Sequence, residues 1–307
     1  MRSEIRNRVE ELLPYGAAFA LIMAMVGAAA ALGDREIILP EIAAMAVALW
    51  AWREQSWMRQ PEKIFIWPSL TAVMGFGINL LALPFAAKLV LVLVAMLGFF
   101  AFLRYSLAPA LATGFLPIVT NATHPSFLVS IGVTTFILMA GIFLFRVRSP
   151  ADRRAPLAYR AMLAYLVTTL ASIGLAAAAG YPHLGVIPPV AVVVYESLHM
   201  KMYAPRMALR QIAVLTLAAS IGIALIALFE SWLVIALLDL LLMTALLRLF
   251  GMRVPAVYAF PFLPFVFPTE ALRLLPLATA MVSAFSLGLV LACRRWLTER
   301  ASAVAVA

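Results

Sequence analysis

GMRVPAVYAFPFLPFVFP, residues 251–268, is apolar enough for a membrane interior, yet it contains four prolines. A proline inside a helix removes one hydrogen bond and clashes with the preceding turn, at about 3 kcal/mol. Lipid offers no water to satisfy the freed backbone groups. Such a segment must therefore lie against protein or line a cavity. LAPALATGFLPIVTNATHP, residues 107–125, has the same character.

The chain around these stretches has the composition of a membrane protein. It is 65% hydrophobic and 12% charged, with a mean hydropathy of +1.04, whereas soluble domains are nearer half apolar. The charges are clustered and leave long apolar runs between them, the pattern of a polytopic membrane protein. The net charge of +9 does not indicate nucleic acid, because no basic patch is interleaved with aromatics and the arginines fall in short connections. Cys293 is the only cysteine, which excludes an intrachain disulfide or a cysteine-rich metal site. His124, His183 and His199 are too scattered for a zinc motif, and no cofactor or metal is expected.

Apolar runs between charges and turn residues give twelve candidate spans: 15–33, 38–52, 64–82, 85–103, 107–122, 127–145, 160–179, 184–199, 211–229, 232–247, 254–268 and 272–293. Several are shorter than the roughly 20 residues a straight helix needs to cross the hydrocarbon. With all twelve spanning and the N-terminus inside, every Lys and Arg except Arg35, Lys88 and Arg273 falls on the cytoplasmic side. If 107–122 re-enters instead, Arg146, Arg148, Arg153, Arg154 and Arg160 end up outside. The expected layout is twelve spans in an inner membrane with both termini cytoplasmic; ten spans with two re-entrant hairpins is the alternative. Before the first run, Ile5, Val9, Leu12 and Leu13 are spaced for a short amphipathic helix on the membrane surface, with a frayed terminus as the alternative.

Features of the first half recur in order in the second. FLPIV (115–119) returns as FLPFV (262–266), each after a Pro-Ala pair, Pro109-Ala110 and Pro255-Ala256. Leu103-Arg104 returns as Leu247-Arg248, Met58 and Pro61 as Met202 and Pro205, and Pro40 as Pro188. GAAAALG (27–33) matches GLAAAAG (174–180), which also argues against reading 15–33 as a signal peptide. The expected fold is an all-α membrane protein of two tandem six-span repeats, 1–146 and 157–307, joined by a cytoplasmic linker at 147–156. The fifth segment of each repeat is short and either proline-broken or re-entrant. An even number of spans makes the repeats parallel.

Proline-interrupted segments at corresponding positions of two repeats point to a transport site, and a broken helix presents a positive dipole end suited to an anion. The candidate substrate-binding residues are Pro109, Pro117, Pro188, Pro189, Pro255, Tyr258, Pro261, Thr120 and Asn121. The plain alternative is that the prolines only kink helices for packing, and that Thr120–His124 is a solvated turn. Asp239 lies mid-span, where a carboxylate costs about 2.5–3.5 kcal/mol, so it is expected to face the bundle interior and could carry a proton. Glu196 is the second proton-coupling candidate, with a loop ion pair to Lys201 or Arg206 as the alternative. Glu41 is expected at the interface.

IPPVAVVVYESLHMKMYAPRMALRQ (187–211), with its Pro-Pro segment and Pro205-Arg206 loop, and RVPAVYA (253–259) resemble the HPP integral-membrane family. The resemblance covers about 184–280, with a fainter echo at 38–126. The signature histidine is absent: Arg253-Val254-Pro255 and Leu107-Ala108-Pro109 stand at the equivalent points, and His124-Pro125-Ser126 lies elsewhere in the repeat. The resemblance implies a small-anion transporter, with nitrite as the type of substrate.

No connection has room for an ATPase domain and no GxxxxGK run is present, so transport would be gradient-driven or passive. An enzyme is not expected, since HExxH, GxSxG and paired aspartates are all absent. The alternatives are a non-transporting membrane subunit and, behind it, an intramembrane lipid or isoprenoid enzyme. The expected partners are the lipid bilayer and a small solute or ion, with no nucleic acid. A homo-oligomer is compatible with the sequence.

Overall fold

The computed structural model describes residues 2–145, 157–200 and 202–306, with the side chains of 2–11, 270 and 295–306 left aside. Among the described residues there is no strand, and the chain is an all-α polytopic membrane protein. Among the described residues, seven helices are long and apolar enough to cross a membrane. They are α1 (Arg2–Leu32), α4 (Phe85–Leu103), α6 (Ser126–Leu144), α7 (Tyr159–Ala178), α9 (Pro205–Leu228), α10 (Trp232–Phe250) and α13 (Leu275–Val306). The helix α3 (Glu62–Asn79) is as long as a span but less apolar. The amphipathic N-terminal stretch is the first part of α1, not a separate surface helix. The expected linker at 147–156 lies outside the described residues.

Between these long helices lie short ones led by proline. They are α2 (Pro40–Ala46), which continues as a π-helical turn to Ala51, α5 (Ala108–Val119) and α8 (Pro188–His199). The fourth is the 251–268 stretch. It forms two 3-10 turns, Pro255–Tyr258 and Phe260–Phe262, then α11 (Leu263–Val266) and α12 (Thr269–Leu272). Its prolines begin successive pieces: Pro255, Pro261 and Pro264 occupy first-turn positions, and Pro268 is the N-cap of α12. A missing N–H costs no hydrogen bond there. That explains how four prolines fit in an apolar segment.

The order long, short, long, long, short, long is therefore the same before and after 146–156. The packing is reciprocal as well. α4 lies against α7 and α1 against α10; α5 lies against α8, and α2 against the Pro255–Tyr258 turn. α3 packs on α5 and α6, and α9 packs on Phe260–Phe262 and α13. In both places a glycine brings the backbones together. A Cβ on Gly75 of α3 would sit on the Gly114 carbonyl of α5, and one on Gly222 of α9 would lie 2.7 Å from the Cα of Pro261.

The loops gather at two ends. At one, the Glu36 carboxylate accepts the backbone N–H of Thr123 (2.9 Å) and of His124 (2.8 Å), Asn79 donates to the Ala122 carbonyl (2.9 Å), and Phe85 meets the His183 ring. At the other, the Trp57 indole donates to Glu196 (2.9 Å) and Arg294 donates to the Ser197 and Met200 carbonyls. They are the Glu36 end and the Trp57 end of the bundle.

Candidate functional site

The four short segments begin together in the middle of the bundle. α2 and α8 run from there to the Trp57 end, while α5 and the 255–266 segment run to the Glu36 end. Their first turns enclose a central pocket of about 20 Å³, lined by Pro40, Glu41, Ala44, Trp57, Pro109, Ala112, Pro188, Pro189, Val192, Ala256 and Ala259. That volume holds one water-sized group. Small residues and prolines form most of this wall because four backbones must approach within one side chain of each other.

A larger cavity, of about 320 Å³, lies on the Trp57 side and includes Trp57, Ala108, Glu196, Arg253 and Pro255 in its lining. A third, of about 200 Å³, lies on the Glu36 side and includes Arg35, Glu36, Leu116, Thr120 and Phe265. The three are in line. Ala108, Ala112, Leu116 and Thr120 recur every fourth residue and so share one face of α5. The first lines the Trp57-side cavity, the second the central pocket, and the last two the Glu36-side cavity. Trp57 borders both the first cavity and the pocket, and it is 3% exposed. No family model, curated protein or solved structure matches this chain.

The central pocket contains one acidic side chain. Glu41 is 4% exposed, and neither of its carboxylate oxygens has a hydrogen-bond partner. Its expected place at the interface is wrong, and the reason is local. Asp34 caps the 3-10 turn Arg35–Ile37, accepting the Glu36 N–H at 2.9 Å, and Ile38 and Leu39 then run in extended conformation into the protein. This carries Pro40 and Glu41 to the level of the pocket before the helix starts. Hydropathy cannot register that descent.

Several sequence candidates are drawn together here. Pro109, Pro188 and Pro189 line the central pocket, Pro255 and Glu196 the Trp57-side cavity, and Thr120 the Glu36-side cavity. Among the described residues, Trp57 is the hydrogen-bond partner of Glu196. The others lie off this line. Pro117 packs near Gly75, and Pro261 lies against Gly222. Tyr258 shares a hydrogen bond with the Thr244 hydroxyl (2.8 Å) and sets its ring against Trp52. Asn121 takes a left-handed turn (φ 52°) and accepts from Asn79.

Asp239 is fully buried within α10, and both its oxygens lack partners. It lines neither the pocket nor the two cavities in line with it. Among the described residues, no three His, Cys, Asp or Glu side chains are grouped to hold a metal ion.

Trp57 and Glu54 also line the Trp57-side cavity, yet both fall in the connection between the apolar runs 38–52 and 64–82, where hydropathy does not mark them. The signal available was Trp57 beside Met58 and Pro61, the loop features that recur as Met202 and Pro205.

Proposed function

We propose that the protein is a secondary transporter or channel-like carrier for a small solute, with its path running between the four proline-led segments. The observation that carries this reading is the alignment of two cavities with a pocket between them along one face of α5. Pores and carriers place irregular backbone where it lines such a path. The central pocket is too small for an open water-filled channel, which favours a gated carrier over a continuous pore.

The reading includes two parallel six-span repeats, supported by the repeated order of long and short helices and by the reciprocal packing of α1 on α10 and α4 on α7. In it, the Trp57 end is cytoplasmic, since the basic residues Arg53, Arg59, Lys63 and Arg253 belong to that end. A small anion is the favoured solute class. The positive ends of α5 and α8 meet at the pocket, and the HPP-like residues 187–211 and 253–259 contribute to the same walls.

The test is flux in proteoliposomes, with nitrite, nitrate, chloride and formate imposed in turn as gradients. One of them is expected to move faster than through protein-free liposomes. Ala112→Phe is expected to reduce that flux to the protein-free level, because a ring at Ala112 has no space but the pocket. Equal flux in Ala112→Phe and wild type would rule out this path.

A further inference from the structure

The central pocket pairs an uncompensated acid with converging helix ends, and this combination specifies what it can hold. An ionised carboxylate buried without a counter-charge costs several kcal/mol, more than the roughly 0.3–2 kcal/mol that a helix start such as that of α2 returns to it. Glu41 must therefore be accompanied there by a proton or by a cation. The beginnings of α5 and α8 are the positive ends of their dipoles, which disfavours a metal ion beside them. The walls otherwise consist of Pro, Ala, Val and one Trp, with no other carboxylate or amide side chain to complete a coordination shell. A proton is the cation that fits.

The same walls are poor in hydrogen-bond donors for an anion. Pro40, Pro109, Pro188 and Pro189 have no N–H, so the helix starts contribute a field with few donors. The indole N–H of Trp57 is already given to Glu196. What remains among the lining side chains is the carboxyl O–H of a protonated Glu41. We propose that Glu41 carries a proton at this crossing and, when the pocket opens, holds through its O–H one oxygen of a small oxoanion such as nitrite or formate. This rests on the anion-carrier reading above and deepens it. A proton and a monoanion moving together carry no net charge through the dry middle of the protein, where an unpaired charge is expensive.

The neighbouring elements contribute no competing titratable group at this level. α1 beyond Tyr15, α5 and α6 contain none. Tyr258 is turned to Thr244 and Trp52. Glu54, Arg59, Tyr195, Glu196, His199 and Arg253 line the Trp57-side cavity, which meets the pocket at Trp57. Asp239, the other buried acid without partners, lies outside the pocket.

The test uses full-length wild type, Glu41→Gln, Asp239→Asn and Glu196→Gln in liposomes, with nitrite, nitrate and formate as probes. Infrared difference spectra follow the protonated-carboxyl band on anion addition, and uptake is driven by an imposed pH gradient. Anion addition is expected to shift the band in wild type and Asp239→Asn and to leave Glu41→Gln silent. Uptake driven by the pH gradient in Glu41→Gln is expected to fall to the protein-free level. Glu196→Gln, which removes the acid of the adjoining cavity, is expected to keep the shift, so the wild-type, Asp239→Asn and Glu196→Gln spectra carry the test even if Glu41→Gln fails to fold. A wild type that transports one of these anions without any band shift, or a shift that disappears in Asp239→Asn or in Glu196→Gln, overturns the role of Glu41 and leaves the carrier reading standing. A wild type that neither transports nor shows a shift overturns both.

Discussion

Replacing Trp57 with alanine is expected to open the middle of the protein to the Trp57 end. The indole forms the partition between the central pocket and the larger cavity, and it is held by its 2.9 Å hydrogen bond to Glu196. Removing the ring joins a space of about 20 Å³ to one of about 320 Å³. The effect can be measured without knowing the solute. In a Cys293→Ser background, cysteine is placed at Ala112, a position 2% exposed that lines the pocket. With Trp57 present, a membrane-impermeant thiol reagent reaches it only through rare openings of the partition. With Trp57→Ala, labelling from the Trp57 end is expected to accelerate on the order of tenfold or more, as follows when about 1.4 kcal/mol of opening cost is removed. Glu196→Gln keeps an acceptor for the indole N–H and is expected to change labelling far less. Equal labelling rates with and without Trp57 would show that another element closes the pocket.

The second large effect is on stability, and it comes from two neighbouring glycines of one helix. A methyl group at Gly75 would collide with the Gly114 carbonyl, a backbone atom that cannot rotate aside. Gly75→Ala is therefore expected to destabilise the protein by about 1–3 kcal/mol through forced separation of α3 from α5. Gly77, two residues on, has nothing within 4 Å of its added Cβ. Gly77→Ala is expected to stabilise α3 slightly, by about 0.5–1 kcal/mol, as helix propensity alone dictates. Gly222→Ala should resemble Gly75→Ala, because its Cβ would meet the backbone of Pro261. Thermal unfolding in detergent, compared across the three variants, decides the matter. Equal midpoints for Gly75→Ala and Gly77→Ala would mean that α3 and α5 do not approach as described.

Glycine and proline thus have opposite visibility in the sequence. The prolines of 251–268 mark a broken segment directly, because fixed φ and a missing N–H are properties of the residue itself. Gly75 and Gly77 are indistinguishable in the sequence, since each is one glycine in an apolar helix; only the neighbour across the contact separates them. The same contrast holds for the acids. Asp239 sits in a long apolar run, and its burial was legible from that run alone. Glu41 follows Asp34, Arg35 and Glu36 within a few residues, so hydropathy places it with the loop.

The sequence by itself determined the class of the protein, the long apolar helices, the positions of the short ones, and the prolines that open them. Each of these depends on residues close together in the chain, through transfer free energy, helix length or fixed dihedrals. The tertiary structure alone decided that four short segments begin at one point, that Trp57 stands between a pocket and a cavity, and that Glu41 has no partner while Glu196 has one. Those facts depend on residues more than a hundred positions apart. No local physical rule links such residues until the helices are packed.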